Sequence, residues 1–592
     1  MHMASLCMLL LTQSVAAATP ELDKRRSSVK GSVKTGKLLA AAEITSSAEN
    51  NLSQLVDKFF DFRFKSNPDS ATVLGFHQYD ALAPDMSKAG IKEQVEQLKL
   101  FQKQFDALKA EALSAQSKID LQLIKSQIKA SLLDLEDIRS WEKNPDIYSS
   151  HSSSMIYDLM SRDFAPLSDR IKLVIAREKK IGEMLKAGKA NLVNPPKIYT
   201  EIAIEQIPGI IDLFQNSVTE KFKSVSDKNL QSEFQASNNN VIAELKDYQT
   251  FLKEQLLPKS NGEFALGSDF YSKKLLYEEM EDSSIDDLLA RGEAELKRLQ
   301  SEFLQTAKEI DPNKSVTDVF TAISSDHTTP DKLVSSVQGV LDHLRQYCVD
   351  KNIITIPAKD ALTVQETPPF MRALTFASMD QSGPFEQKAK EAYYYVTLPE
   401  PGWSAQRVEE HMRAFSKYDL INTSVHEAFP GHFVQGLWTR VAPSKTSKIL
   451  GCNSNIEGWA HYCEQMMVEE GLDNGDKNLK MTMLHDALLR VCRYIVGIRM
   501  HTRGMSIDEG INYFVKEGYQ EKANAERETK RGTSDPTYLV YTLGKLQLLA
   551  LREDYKKMKG SEYSLKDFHD RVMATGTPPV KIIRQVLMGD AR

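Results

Sequence analysis

From about residue 50 to the end of the chain, apolar positions recur at three- and four-residue steps. Ile91, Val95, Leu98, Phe101, Phe105 and Leu108 fall on one face of a helix. Ser284-Ile285-Asp286-Asp287 has the form of a capping box with Asp in place of Glu, and it opens a stretch with Leu288, Leu289, Leu296, Leu299 and Phe303 on one side. These stretches lack sustained heptads, so burial in one helical body accounts for them better than a coiled coil. Strand-like runs are few. The clearest are 352–357 (Asn-Ile-Ile-Thr-Ile-Pro) and 392–398 (Ala-Tyr-Tyr-Tyr-Val-Thr-Leu), rich in β-branched or aromatic residues and followed by proline. A small sheet there either packs or offers an edge strand to an extended peptide. The pattern predicts a mainly α fold: a large helical body with a small β element near the candidate site.

The N-terminal pattern is different. Leu6 to Leu11 is a short apolar run, and Ala16-Ala17-Ala18 before Thr19-Pro20 fits a small-residue cleavage site. Residues 1–18 are therefore read as a signal peptide, although no Lys or Arg lies near Met1. Cys7 is followed by Met8, not by the small residues of a lipid-attachment site. Residues 19–48 hold few aromatics and the basic cluster Lys24-Arg25-Arg26, and are read as a flexible leader. Residues 49–592 form the single body. This organisation predicts an exported protein, periplasmic or extracellular.

Composition narrows the function classes. With 41% hydrophobic and 26% charged residues the chain is an ordinary globular protein. Its net charge of −6 argues against nucleic acid as a partner. No run of apolar residues is long enough for a transmembrane segment. The five cysteines, Cys7, Cys348, Cys452, Cys463 and Cys492, are too sparse for a disulfide scaffold and none has CxxC spacing. Cys452 and Cys463 either bridge or remain buried thiols.

Candidate chemistry concentrates in two short segments. The first is His426-Glu427-Ala428-Phe429-Pro430-Gly431-His432. Hydrolytic zinc sites need imidazole or carboxylate ligands, an open position for water, and a carboxylate near that water. The usual helical form places two histidines four residues apart on one face. Here they are six apart, which on an unbroken helix at about 100° per residue would separate the side chains by about 240°. Pro430 argues against an unbroken helix, because its ring would clash with the carbonyl of His426. Gly431 adds backbone freedom. A break there could swing His432 back toward His426.

The second segment is Glu457-Gly458-Trp459-Ala460-His461-Tyr462-Cys463-Glu464. Glu457 and His461 share a helix face. Two ligand sets follow: the preferred one is His426, His432 and Glu457 with Glu427 as base, and its rival is His426, Glu457 and His461 with His432 outside the coordination shell or binding substrate. Either segment alone is more often a structural contact; together, separated by a short helical span, they indicate one zinc ion per chain. The same ligands also accept manganese or cobalt.

With these motifs the chain resembles the bacterial family DUF885, whose hallmark is H-E-x-x-P-G-H followed by E-G-W-A. Asn67 to Gly75 is similar to the family's opening, and Pro536 with Tyr538 to Gly544 to its closing segment. The resemblance runs from about residue 50 to the C-terminus. It implies a mostly helical fold like that of the thimet-type, gluzincin-like metallopeptidases, with a long cleft suited to peptides.

Four further residues are candidates. Tyr541 could donate its hydroxyl to a developing oxyanion; the plainer account is a tyrosine half-buried on a helix. His501 could serve the same end, though a lone histidine is more often structural. Arg527 and Arg531 could pair with a substrate carboxylate or belong to a solvated helix face. The combined expectation is a zinc-dependent hydrolase, a peptidase acting on peptide substrates. Its rivals are an inactive peptide-binding protein with the same fold, and a zinc hydrolase of esters or non-peptide amides. Oligomeric state is not legible in the sequence.

Overall fold

The computed structural model describes residues 34–358, 360–368, 372 and 376–589, with side-chain environments from residue 47 onward. The signal-peptide reading of 1–18 and the leader as far as residue 33 lie outside the described residues. Helix α1 (Lys34–Ser66) begins within the stretch read as leader.

The rest is mainly helical, as the periodicity predicts. Helix α2 (Lys88–Asp106) buries Ile91, Leu98, Phe101 and Phe105, and the Ser87 hydroxyl accepts from Gly90 N–H at its start. Helix α3 (Ile285–Ile310) starts where the Asp-bearing capping box predicts, with Ser284 accepting from Asp287 N–H, and buries Leu288, Leu296, Leu299 and Phe303. Three hydrophobic clusters result. One joins Leu52 to Ile128 with a few later residues, the second joins Tyr148 to Leu256, and the largest joins Tyr271 to Ile583 and contains the candidate site. No helix of the described residues is long and apolar enough to cross a membrane.

The sheet has three strands, β1 (Leu362–Glu366), β2 (Ala377–Gln381) and β3 (Ala392–Val396), in the order β1-β3-β2. β3 pairs parallel with β1 (Val364 opposite Tyr394) and antiparallel with β2 (Met379 opposite Tyr394). The Tyr- and Val-rich run at 392 is thus the central strand, and Tyr394 and Val396 are buried.

The other predicted strand, 352–357, is not one. It is the exit from α4 (Leu333–Asp350): Asn352 adopts a left-handed conformation (φ 51°), and Ile353 N–H closes onto Cys348 C=O at 3.0 Å. Ile353 and Ile354 are buried without a strand partner. Side chains take up the segment's backbone groups. His569 Nδ1 lies 2.8 Å from Ile353 C=O, Asp570 accepts from Thr355 N–H at 2.8 Å, and Trp438 Nε1 donates to Thr355 C=O at 2.9 Å.

The elements that carry the site follow. They are α5 (Lys417–Glu427), α6 (His432–Thr439), α7 (Asn453–Glu469), α8 (Lys477–Thr502), α9 (Lys522–Ser534), α10 (Val540–Lys559) and, behind them, α11 (Leu565–Ala574).

Candidate metal centre

The six-residue spacing of the two histidines is resolved by a break. Helix α5 ends at Glu427 and α6 starts at His432. Gly431 N–H reaches back to Val425 C=O at 3.0 Å, folding the connection tightly under the end of α5. A Cβ on Gly431 would lie 1.8 Å from His426 C=O, so only glycine fits. The His426 and His432 rings come to 4.7 Å, nearly perpendicular.

Helix α7 supplies the facing carboxylate. Glu457 Oε2 lies 3.6 Å from His426 Nε2 and 3.5 Å from His432 Nε2. Glu427 completes the group: ligand atoms of His426, Glu427 and His432 lie within 4.8 Å of one another. The Glu427 carboxylate is held by Met379 N–H of β2 at 3.1 Å, which fixes the sheet beside the end of α5.

The remainder of the Glu457-Gly458-Trp459-Ala460 segment sets the packing. At Gly458 a Cβ would stand 2.5 Å from Gly544 Cα, and at Gly544 a Cβ would stand 1.6 Å from Ser454 C=O. The two glycines let α7 and α10 touch backbone to backbone, placing Glu457 and Tyr541 on one cavity wall. Buried Trp459 donates its indole N–H to Pro430 C=O at 3.0 Å, tying α7 to the break between α5 and α6.

The cavity has a volume of about 560 Å³ and is lined by His426, Glu427, His432, Glu457 and Tyr541 among others. Tyr541 stacks on His426 with centroids 6.4 Å apart, and its oxygen accepts from Arg531 at 3.4 Å. Burial and the charge of Glu457 push its hydroxyl pKa upward, so it stays protonated.

Two of the sequence's candidates are placed elsewhere. His461 does not line the cavity. It sits behind, 1% exposed, with Nδ1 3.1 Å from Glu464. Burial, and then Lys545, lower its pKa to about 3. His501 does not line the cavity. It is 1% exposed, packs between Phe264 and Tyr271, and its Nε2 lies 2.8 Å from Gly532 C=O, joining α8 to α9. The four described cysteines are free and buried.

Residues 68–587 match the family described as “Bacterial protein of unknown function (DUF885)”. The chain belongs to this family. Among solved structures, this DUF885 chain is similar to a candidate lipoprotein of unknown function from Shewanella oneidensis. That match has 25% identity and a TM-score of 0.77, over 91% of this chain and 99% of that one. A candidate lipoprotein from Colwellia psychrerythraea shares the fold at 19% identity and a TM-score of 0.76, over 91% and 98% of the two chains. No curated protein matches the chain.

Sequence reasoning missed the group behind this DUF885 site. Glu464 is fully buried and accepts from His426 Nδ1 at 2.6 Å and from Arg490 at 3.0 Å. Burial alone would raise its carboxyl, but Arg490 and the two imidazoles outweigh that and hold it well below the usual range. The signal was present: 457, 461 and 464 follow the i, i+4, i+7 rule of one helix face. Arg493, which grips Glu528 at 2.7 and 3.0 Å and lies 5.1 Å over the Tyr541 ring, carried no signal; three helices converge to place it.

Proposed function

We propose that this protein is a zinc-dependent hydrolase that cleaves peptides. The observation that carries the reading is the convergence of His426 Nε2 and His432 Nε2 on Glu457 Oε2, with Glu427 beside them on a cavity wall. Two imidazole nitrogens and one carboxylate oxygen are the donor set of catalytic zinc, and the open side leaves room for water. His426 fits a ligand's role in another respect. Glu464 on its Nδ1 fixes the tautomer that turns the Nε2 lone pair toward Glu457.

Zinc bound there would polarise the scissile carbonyl and acidify a water. The chain's own groups do the rest. Glu427 takes a proton from the attacking water as its oxygen bonds to the carbonyl carbon. The C–N bond breaks, and Glu427 hands the proton to the leaving amine. Tyr541, already receiving an N–H from Arg531, keeps its own proton to donate to the oxyanion. A thimet-type arrangement of the helical body belongs to the same proposal. So does a place outside the cytoplasm, which the leader and the description of the Shewanella relative as a candidate lipoprotein support.

The test is elemental mass spectrometry of the purified protein, paired with a peptide-library assay. About one zinc per chain is expected in the wild type and none in Glu457→Ala. Glu427→Gln should keep the metal and lose roughly 10²–10⁴-fold in hydrolysis. A wild type that takes up no metal when zinc is supplied, or a Glu427→Gln variant as active as wild type, sinks the proposal.

A further inference from the structure

Six arginines line the cavity: Arg372, Arg407, Arg490, Arg493, Arg527 and Arg531. Four are committed to carboxylates. Arg372 pairs with Glu366 at 2.7 Å, Arg490 with Glu464 at 3.0 Å, Arg493 with Glu528 at 2.7 Å, and Arg531 with Asp535 at 3.1 Å. Arg407 is exposed, with its guanidinium 4.0 Å over the Trp403 ring. Arg527 is exposed too, and what sets it apart from Arg407 is its place beside Arg493, Arg531 and Glu528. Its side-chain hydrogen bond goes to a neutral acceptor, Asn524 Oδ1, at 2.6 Å, and its guanidinium lies 5.4 Å over Phe376. Among the described residues no carboxylate lies within ion-pair distance of it.

Around Arg527, the arginines Arg490, Arg493 and Arg531 meet four carboxylates, Glu464, Asp486, Glu528 and Asp535, while Arg527 itself is in no ion pair among the described residues. Arg493, Arg531 and Arg490 surround Tyr541, at 5.1, 5.8 and 5.9 Å from its ring, so this wall adjoins the metal centre. A planar guanidinium without a carboxylate in a substrate cavity is a fork for a carboxylate.

We propose that Arg527 anchors the free C-terminal carboxylate of the substrate, so that the enzyme removes short fragments from the C-terminal end of peptides. This rests on the hydrolase reading of the site. The bond cleaved is an ordinary peptide bond: water adds across C–N, the fragment leaves with its amine protonated, and its carboxylate stays on Arg527 until release. A side-chain carboxylate near an amidated end has the same chemistry, so the probes must separate the two sources.

The probes are tetra-alanine as free acid, tetra-alanine amide, and an amide of the same length ending in glutamate. Binding is measured by calorimetry on the Glu427→Gln protein, as purified and after zinc is supplied. The free acid should bind about tenfold tighter than the plain amide. Adding Arg527→Ala should erase that difference, and Arg527→Lys should restore part of it. In the otherwise wild-type enzyme Arg527→Ala should raise KM for the acid about tenfold, with zinc content unchanged. Equal binding of acid and amide, or an equal loss of both in Arg527→Ala, overturns the proposal. Tight binding of the glutamate amide with weak binding of the acid overturns the C-terminal assignment. If zinc-loaded wild type cleaves none of the peptides, the hydrolase reading fails, while the binding comparison still decides the anchor.

Discussion

At the residue scale, a buried carboxylate such as Glu464 must have its charge matched. One cation, Arg490 at 3.0 Å, matches it, and two imidazole N–H groups donate to it, His426 Nδ1 at 2.6 Å and His461 Nδ1 at 3.1 Å. Of these contacts the one from His426 bears on function, because an imidazole that donates through Nδ1 presents Nε2 as a lone pair. Glu464→Gln should therefore weaken zinc affinity by about 10–100-fold, read by competition with a chelating dye, while helix content stays constant. Unchanged affinity would mean that His426 needs no partner to hold its ring. The candidate ligands were legible in sequence because coordination chemistry restricts the residue types and their order. The break expected at Pro430-Gly431 favoured His432 over His461 as the partner of His426; what was not legible is how tightly the backbone folds at Gly431. The position of His501 away from the cavity was not legible for a general reason: a lone histidine carries no spacing to say which way it faces.

At the element scale, what the sequence shows is periodicity, and what it hides is contact. Helices α2 and α3 follow from their apolar steps and serine caps. Strand β3 follows from its tyrosines and valine. Strands β1 and β2, with Thr, Gln, Ser and Asp among five residues each, have little strand character of their own and are strands because β3 pairs with them on both sides. The run at 352–357 has strand character but no neighbouring strand, and its backbone groups go to side chains instead. The same dependence on contact governs the break between α5 and α6. Gly431→Ala would put a methyl group 1.8 Å from His426 C=O. The connection would have to open, at a cost of about 1–3 kcal/mol, and His432 would swing away from Glu457. Substoichiometric zinc with an unchanged far-ultraviolet dichroism spectrum is the expected result; a full complement of zinc would show that the turn has slack.

At the scale of the whole molecule, the site is held by contacts that cross the largest hydrophobic cluster, and several pass through buried histidines. His569 of α11 links Ile353 C=O to Tyr462 of α7 at 2.8 Å each, and His501 links α8 to α9. Burial lowers the pKa of both imidazoles to about 4, below the ordinary value near 6.5 that the unfolded chain would show. The sign follows directly. Above pH 6.5 neither state binds the proton and the contribution to stability is complete. As pH falls from 6.5 through 4 the unfolded chain takes up protons that the folded one refuses, and stability is lost, by up to about 3 kcal/mol per histidine. The denaturant midpoint of the chelator-treated protein should therefore drop between pH 7 and pH 5. His569→Gln should start lower at pH 7, having lost two hydrogen bonds, but fall less steeply, by about one proton's worth of slope. Parallel curves for the two proteins would mean that His569 is protonated in the folded state, and that the loss at low pH arises elsewhere in the cluster.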